Sequence, residues 1–256
     1  MIHQLTAIHP DARIGADVSV GPFTTIDANV EIGEGTQIGS NVTILSGARI
    51  GRNCHIHAGA VIAGIPQDLK FRGEDSLAII GDNTTLRECV TVNRGTASKG
   101  RTVIGSGTLI MAYSHVAHDC VVGDNVIISN ATQLAGEVIV DDYAVIGGGT
   151  LVHQFCHLGP HIMVQGGALI NKDIPPFVKA AREPISFTGI NAIGLRRRGF
   201  SVEQIDEIHN VYRHLYASGL NFTEALAKIE AELPQSPLRD QIIDFVRHAD
   251  RGIIRG

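Results

Sequence analysis

Aliphatic side chains return every six residues along most of the chain. The phase that begins at Ile8 and ends at Ile170 contains 28 positions, and 25 of them are Ile, Leu or Val. Asp68, Glu74 and Ser98 are the three exceptions. Gly, Asp or Asn fill many of the positions between, as in IGEGTQ and VGDNVI. Chance does not produce this regularity, so we interpret the region as an array of hexapeptide repeats.

A six-residue period excludes an α-helix for this region. At about 100° per residue, a step of six leaves each repeat roughly 120° away from a common helix face. A coil of short strands that turns every six residues keeps all the aliphatic side chains inside, and hexapeptide periodicity is typical of a parallel β-helix. Cys54, Cys120 and Cys156 lie four residues after interior aliphatics, where other repeats carry small or branched residues. We interpret these cysteines as core residues.

Two polar segments keep the six-residue phase but lose its hydrophobic pattern. They cover residues 66–76 and 93–100, and we expect both to loop out from the solenoid. Loops on a rigid scaffold commonly carry function. The alternative is a tolerated insertion, and it stays open for the second loop. We divide the chain into an all-β solenoid, residues 1–186, and a small α-helical domain, residues 187–256.

Helix start and stop signals fill the C-terminal region. Ser201 with Gln204 forms a capping-box signature ahead of an apolar stripe. Gly219 follows that stripe and predicts its end. Thr223 is a candidate N-cap for a second helix, and Ser236 followed by Pro opens a third. We expect these helices to close the solenoid end or to pack on a neighbouring subunit.

Composition narrows the class of protein. Charged residues make up 18 % of the chain and the formal net charge is −5, which argues against a nucleic-acid binder or a polybasic membrane-surface protein. No apolar run approaches the roughly 18–20 residues of a membrane span, and the N-terminus lacks a signal-peptide pattern. Four cysteines without a CxxC spacing fit a reducing compartment. We expect a soluble, cytoplasmic protein.

Several motifs outside the repeats resemble one family. The ordered set PQDLKF, HVAHDC, LVHQFCHLG, DIPPFV and GLRRRGFS is similar to that of the bacterial UDP-N-acetylglucosamine acyltransferases of lipid A biosynthesis. The resemblance implies a left-handed β-helix with three faces per coil and a homotrimer with active sites between subunits. It also implies the first step of lipid A biosynthesis, in which acyl carrier protein donates an (R)-3-hydroxyacyl chain to the 3-hydroxyl of UDP-N-acetylglucosamine. The phosphopantetheine of acyl carrier protein carries the acyl group, and no other cofactor is expected.

One outer column of the implied solenoid carries candidate chemistry. In the implied fold, each coil has three faces and each face is one hexapeptide. Residues one coil apart therefore stack, and His118, Gly136 and Gln154 are spaced in this way. His118 lies two residues after the interior Val116, and its side chain should leave the core. A base, a backbone N–H for the oxyanion and a polar group that places the substrate are what acyl transfer needs.

We therefore predict that His118 takes the proton from the sugar hydroxyl during direct attack on the thioester. Asp119 is placed to orient the imidazole, although adjacent side chains on an extended strand diverge. In the family, the glycine that matches Gly136 supplies the oxyanion N–H. No covalent enzyme intermediate is needed, because the chain has no GxSxG motif and its cysteines are assigned to the core. The alternative for His118, as for most of the 12 histidines, is a solvated surface side chain.

The resemblance also implies the positions that bind substrate. These residues are Gln67, Asp68, Lys70, His115, His153, Gln154, Asn191, Arg197 and Arg198. The two arginines suit a diphosphate, since guanidinium groups bind phosphate oxygens bidentately. Gly166 occupies the position that measures the acyl chain, and a glycine there implies a long chain. The alternatives are a solvated loop charge for Asp68, an ordinary basic stretch for the arginines and a simple turn for Gly166. His157 and His161 we leave as surface or interface residues.

Three other classes of protein share part of this pattern. This chain does not fit a zinc site of the hexapeptide carbonic anhydrase type. His115 and His118 should lie on opposite sides of a turn, which is awkward for binding one metal ion together. A coenzyme A acetyltransferase with a small substrate would not account for the QDLK loop or the RRRGF segment. A sister enzyme that acylates an amine carries an additional N-terminal domain. Glu137, Ile193 and residues 182–184 depart from the family pattern and bear on nucleotide and acyl binding.

Overall fold

Short parallel strands wind into a three-sided solenoid. The computed structural model describes residues 1–256, and 27 strands, numbered along the chain, form three sheets. Sheet one contains β1 (Ala7–Ile8), β4 (Thr25–Ile26), β7 (Thr43–Ile44), β10 (Val61–Gly64), β13 (Thr91–Asn93), β16 (His115–Val116), β19 (Gln133–Leu134), β22 (Leu151–Val152) and β25 (Leu169–Ile170). Sheet two contains β2 (Arg13–Ile14), β5 (Glu31–Ile32), β8 (Ala48–Ile50), β11 (Leu77–Ile80), β14 (Arg101–Ile104), β17 (Val121–Val122), β20 (Ile139–Val140) and β23 (His157–Leu158). Sheet three contains β3 (Ser19–Val20), β6 (Gln37–Ile38), β9 (His55–Ile56), β12 (Thr85–Leu86), β15 (Leu109–Ile110), β18 (Ile127–Ile128), β21 (Val145–Ile146), β24 (Met163–Val164), β26 (Val178–Ala181) and β27 (Ser186–Ile190).

The repeat sets the strand register. Ile26 pairs with Ile44, and Val116 pairs with Leu134, so each partner in the regular coils lies three hexapeptides further along the chain. The aliphatic positions form the predicted interior ladder, and all of them from Val20 to Ile170 that belong to the repeat are buried. Each strand is short because the backbone turns three residues after each interior aliphatic, where φ is positive at residues such as Asn41. Asn and Gly tolerate this left-handed conformation best.

The predicted core cysteines lie in the interior. Cys54, Cys120 and Cys156 are buried and form no disulfide. Burial raises the pKa of the Cys120 thiol to about 12 and that of Cys156 to about 11. Both side chains are therefore neutral thiols at physiological pH, and a neutral thiol is a poor nucleophile.

Two loops leave the solenoid without disturbing the ladder. The first joins β10 to β11 over residues 65–76, and the second joins β13 to β14 over residues 94–100. Across the first loop Ile62 pairs with Val92, five hexapeptides further along the chain instead of three. Across the second loop Val92 pairs with Val116, four hexapeptides further along instead of three. Both insertions are whole hexapeptides in length, which explains why the hydrophobic phase survives them.

A β-hairpin and four helices close the C-terminal end. β26 continues sheet three and β27 returns antiparallel to it, a hairpin that the sequence pattern did not predict; the predicted division after residue 186 falls at the start of β27. The helices are α1 (Ala192–Arg197), α2 (Val202–Ala217), α3 (Phe222–Glu232) and α4 (Pro237–Arg247). None of them combines the length and the hydrophobicity of a bilayer-crossing segment.

Local capping explains where the longer helices begin. Ser201 and Gln204 form the predicted capping box of α2, and Ser236 caps α4. The prediction of Thr223 as the cap of α3 is wrong. Asn221 is the N-cap and forms a capping box with Glu224, so the helix begins two residues earlier than predicted. The Asn side chain accepts from the N–H of Glu224, one of the free N–H groups of the first turn.

We expect Ile26→Ala to lower the free energy of unfolding by about 2–5 kcal/mol, because it removes a side chain that is only 2 % exposed and leaves a cavity in the ladder. Urea denaturation measures this loss. Thr25→Ala changes the exposed neighbour on the same strand and should stay within about 0.5 kcal/mol of the unmodified protein. Equal losses in the two variants would contradict the interior assignment.

Candidate active site

Five of the predicted site residues line one cleft beside sheet one. Gln67, His115, His118, Gly136 and Gln154 surround a cleft of about 410 Å³. The register of β16, β19 and β22 confirms that His118, Gly136 and Gln154 lie one coil apart in a single column. Gln67 comes from the first loop, so the loop and the solenoid form the cleft together.

The His118 and Asp119 side chains are in direct contact. The distance from His118 Nδ1 to Asp119 Oδ2 is 2.9 Å. The expectation that these neighbouring side chains diverge is wrong, because Asp119 is not on a strand. Its φ of 60° turns the backbone at the corner after β16 and brings the carboxylate back toward the imidazole. Both residues are buried, Asp119 fully.

Hydrogen bonds keep Asp119 ionised inside the protein. Burial by itself acts to raise the pKa of this carboxyl, but hydrogen bonds from Thr96 and His118 outweigh burial and hold its pKa below the ordinary value. The carboxylate is then an acceptor at neutral pH. Because an ionised carboxylate has no proton to donate, the hydrogen in its bond to His118 lies on Nδ1 of the imidazole. The other ring nitrogen, Nε2, has no hydrogen-bond partner in the protein.

Gly136 is required by the position of the imidazole. A Cβ added to Gly136 would lie 2.6 Å from both Cε1 and Nε2 of His118, so any side chain there would displace the imidazole. The backbone of Gly136 consequently approaches the free nitrogen of the ring. Its N–H donates to no acceptor in the protein, which leaves it available to a ligand in the cleft.

His115 lies on the same side as His118, which corrects the expectation that a turn separates them. Both line the cleft, and Nδ1 of His115 lies 2.7 Å from the Thr91 hydroxyl. Burial lowers the pKa of His115, the Thr91 hydrogen bond opposes that effect, and the nearby His118 reinforces it. No group of three His, Cys, Asp or Glu side chains in the protein is arranged to hold a metal ion.

The first loop brings only one of its three predicted residues to the cleft, and that residue is Gln67. Asp68 Oδ1 accepts a hydrogen bond of 2.9 Å from the backbone N–H of Lys70, and the Asp68 carbonyl accepts one from Phe71. Asp68 therefore stabilises a turn within its own loop. The Lys70 side chain is exposed.

Asn191 is the N-cap of α1, and its side chain is already engaged. Its Nδ2 donates to the carbonyl of His161 at 2.9 Å, and its Oδ1 accepts from the N–H of Gly194 at 3.3 Å. Arg197 is exposed at the end of the same helix. Neither residue lines the cleft of its own chain.

Arg198 lies on an aromatic platform at another corner of the solenoid. Its guanidinium lies 5.5 Å from the centre of the Tyr143 ring, and Tyr143 stacks on His161 at 4.9 Å. Burial, and then the charge of Arg198, lower the pKa of His161 to about 4. His161 is thus a neutral, half-buried part of this platform rather than a surface residue. Tyr143 and His161 follow strands β20 and β23 of sheet two, whereas His118 follows sheet one.

Other predicted positions lie outside the cleft lining. His153 is exposed and bonds the carbonyl of Gln154, with 3.0 Å from its Nδ1 to that oxygen. Gly166 is exposed, and a Cβ there would lie 3.0 Å from the carbonyl oxygen of Gly148. Glu137 lies 3.9 Å from the Lys99 ammonium, and Ile193 is exposed.

Two residues that contact the site cannot be found by counting coils of regular length along the sequence. Thr91 bonds His115 and Thr96 bonds Asp119, but the second loop lengthens the local register to four hexapeptides. Counting back one regular coil from His115 gives Ala97 instead of its true partner, Thr91. The extra hexapeptide within NRGTASKG was the available signal, and only the observed pairing shows where the chain leaves the coil.

Profiles of known families match two parts of the chain. The bacterial transferase hexapeptide profile matches residues 29–64 and 101–136, on either side of the loops. A profile described as UDP-N-acetylglucosamine O-acyltransferase, domain 2, matches residues 173–254, which contain the hairpin and the helices. The fold and the cleft thus belong to a hexapeptide-repeat transferase.

Full-length relatives narrow that class. The acyl-[acyl-carrier-protein]–UDP-N-acetylglucosamine O-acyltransferase of Chlorobium phaeobacteroides is 59 % identical over 98 % of this chain and 94 % of its own. That of Myxococcus xanthus is 44 % identical over 99 % of each chain. The crystal structure of the UDP-N-acetylglucosamine acyltransferase from Bacteroides fragilis is 55 % identical, covers 100 % of both chains and superposes with a TM-score of 0.98. The chain belongs to this family of acyltransferases, and its solenoid is a left-handed β-helix, as predicted.

We expect Gly136→Ala to displace the His118 imidazole and, if that ring takes part in acyl transfer, to reduce turnover by about 100-fold, because a misplacement of about 1 Å can cost that much. Steady-state kinetics and the imidazole position in a crystal structure of the variant measure the effect. Gly219→Ala is the matched control. Its φ of 75° makes Ala cost about 1–2 kcal/mol, yet nothing lies within 4 Å of the added Cβ. Loss of stability without loss of turnover is expected there, and an unmoved imidazole in Gly136→Ala would refute the steric assignment.

Proposed function

We propose that this enzyme transfers an (R)-3-hydroxyacyl chain from acyl carrier protein to the 3-hydroxyl of UDP-N-acetylglucosamine, the first step of lipid A biosynthesis. The contact between His118 and Asp119 beside the free N–H of Gly136 carries the proposal. The names of the relatives, which pair acyl carrier protein with UDP-N-acetylglucosamine, support the choice of donor and acceptor. The donor arrives on phosphopantetheine, and the reaction needs no resident cofactor.

In this proposal His118 is the general base. Asp119 holds the hydrogen on Nδ1 of His118 and leaves Nε2 free to take the proton of the sugar hydroxyl. The hydroxyl oxygen attacks the carbonyl carbon of the thioester, and the developing oxyanion accepts a hydrogen bond from the backbone N–H of Gly136. The thioester C–S bond then breaks, and the proton on His118 passes to the leaving thiolate. While His118 carries the proton, the ion pair between its imidazolium and the Asp119 carboxylate stabilises the tetrahedral intermediate.

Direct attack, without a covalent enzyme intermediate, fits the nucleophiles that the chain offers. The raised pKa of Cys120 and of Cys156 keeps those thiols protonated, because burial disfavours the thiolate. None of the four cysteines, the exposed Cys89 included, lines the cleft. The only side chain that forms a hydrogen bond with a ring nitrogen of His118 is Asp119. In this proposal Asp119 orients the base and does not attack the thioester.

We also propose a homotrimer whose active sites lie between subunits. His118 and Arg198 lie at different corners of one solenoid, so a single chain does not bring the base and the predicted nucleotide-binding arginine together. The apolar wall of the cleft at Leu151 continues outward onto Leu169, since Leu151 is 47 % and Leu169 is 53 % exposed and the two are paired on adjacent coils. A neighbouring subunit would cover this wall and bring its own arginine corner to the cleft.

We also propose which part of the substrate each of the other predicted site residues contacts. Gln67, His115 and Gln154 line the cleft and would contact the sugar. Asp68, Lys70 and His153 are close to Gln67 and Gln154 in the sequence and would also contact the substrate. Asn191, Arg197 and Arg198 of the neighbouring subunit would face the nucleotide and its diphosphate. Gly166 would leave room for a long acyl chain between subunits, because it adds no side chain to that surface.

The base assignment predicts that His118→Ala lowers kcat by about 10²–10⁴-fold, the usual contribution of a general base. Turnover of UDP-N-acetylglucosamine with a 3-hydroxyacyl carrier protein measures it, with circular dichroism to confirm the fold. His57→Ala is the matched control, because His57 also faces a carboxylate, at 3.3 Å from Glu88, outside the cleft. It should retain near-normal turnover. Comparable activity in His118→Ala would sink the base assignment.

The intersubunit site predicts complementation between two inactive proteins. His118→Ala and Arg198→Ala chains, unfolded together and reassembled as a mixture, should recover about a quarter of normal activity, because random assembly pairs an intact His118 with an intact Arg198 in that fraction of sites. Each variant reassembled alone is the control and should stay inactive. Absence of recovery would place both residues in one chain's site.

A further inference from the structure

The second loop, residues 94–100, folds directly onto the Asp119 carboxylate. The Thr96 hydroxyl donates to Asp119 Oδ2 at 2.6 Å, and the Thr96 N–H donates to Oδ1 at 2.9 Å. The Lys99 N–H also donates to Oδ1, at 3.2 Å. Thr96 and Asp119 are both buried. The loop is therefore an integral part of the site and differs from a tolerated insertion, which would have no reason to surround a buried charge.

These contacts saturate the carboxylate. A carboxylate accepts about four hydrogen bonds, two on each oxygen. Oδ1 accepts from Thr96 and Lys99, and Oδ2 accepts from Thr96 and His118. Three of the four donors come from the loop, and only the fourth is the imidazole. Rotation of the carboxylate would break several buried hydrogen bonds at once, which is costly in a low-dielectric interior.

The loop is itself fastened at both ends. The Ala97 N–H donates to Glu74 Oε1 at 2.9 Å, which ties the second loop to the first. The Lys99 ammonium lies 3.9 Å from Glu137, on the coil that carries Gly136. The Arg94 guanidinium lies over the Phe71 ring at 5.4 Å. The Thr96 hydroxyl is thus presented by a segment with little freedom to move.

From this geometry we infer that Thr96 is a positioning residue for acyl transfer. It holds Asp119 Oδ2 on Nδ1 of His118 and thereby fixes the tautomer and the orientation of the base. Thr96 does not contact the cleft, so it acts only through Asp119. This inference rests on the proposed function, because it needs His118 to act as the base.

Thr96→Val tests the inference, since Val keeps the shape and the backbone N–H and removes only the hydroxyl. We expect kcat to fall by about 10–100-fold while KM for UDP-N-acetylglucosamine changes by less than about twofold, because orientation of the base matters most in the transition state. Thr96→Ser restores the hydroxyl and should recover most of kcat. Normal kcat in Thr96→Val, or no recovery in Thr96→Ser, would overturn the inference.

A double-mutant cycle separates positioning from general stability. In an Asp119→Asn background, Thr96→Val should lower kcat by less than about twofold, because residues that act through one another are not additive. Thr36→Val is the matched control: Thr36 is buried and its hydroxyl donates to the carbonyl of Gly51 at 2.8 Å. It should lose similar thermal stability and keep its kcat. Fully additive losses, or an equal loss of kcat in Thr36→Val, would show a merely structural role.

A spectroscopic measurement on the resting protein separates this inference from the proposed function. Histidine-selective 15N NMR, with the His118 signals identified by their absence in His118→Ala, should show a protected Nδ1–H in the normal protein and its loss or exchange in Thr96→Val. If the normal protein transfers no acyl group and Thr96→Val still loses the protected Nδ1–H, the proposed function is refuted, while the finding that Thr96 orients the His118 ring stands. An Nδ1–H unchanged in Thr96→Val would overturn the positioning role, whatever the activity.

Discussion

The interior of the solenoid is the constraint on which the rest of the structure depends. Each turn contributes one aliphatic side chain and, four residues later, one small or branched side chain, and stacked turns bury them in a continuous ladder. A shift of one residue would move the whole aliphatic set to the surface. The register of one coil between paired strands is therefore strongly specified, and with it the outer columns on which His118, Gly136 and Gln154 stand.

That constraint also governs where the chain is free to vary. Insertions of two hexapeptides and of one hexapeptide are accepted because they return the backbone to the same phase. Neither inserted segment is left as a solvated excursion. The first brings Gln67 to the cleft, and the second encloses Asp119. A rigid ladder thus supports two irregular segments. The hydrogen bonds of Asp119 join the second loop to the solenoid, and the bond from Ala97 to Glu74 joins the second loop to the first.

Charge is buried in this protein where it is compensated. The Asp119 carboxylate is fully buried and accepts four hydrogen bonds, so its desolvation is offset. Arg198 is different, because one of its guanidinium nitrogens is buried without a hydrogen-bond partner in the chain. The aromatic platform of Tyr143 and His161 supports its flat face. A buried and unpaired guanidinium nitrogen is suited to an anionic ligand, which agrees with the assignment of Arg198 to the diphosphate.

The sequence by itself determined the solenoid, the place of both loops and the core cysteines, because a period of six propagates through every coil and needs no distant contact to be recognised. The column of His118 needed, in addition, the three faces per coil that the family resemblance implied. The sequence did not determine the contact between His118 and Asp119, the surroundings of Asp119, the hairpin before α1 or the separation of Arg198 from the cleft. Each of these depends on a positive φ, on an irregular loop or on the corner at which a residue falls. Such features arise when distant segments pack together, and no local repeat encodes them.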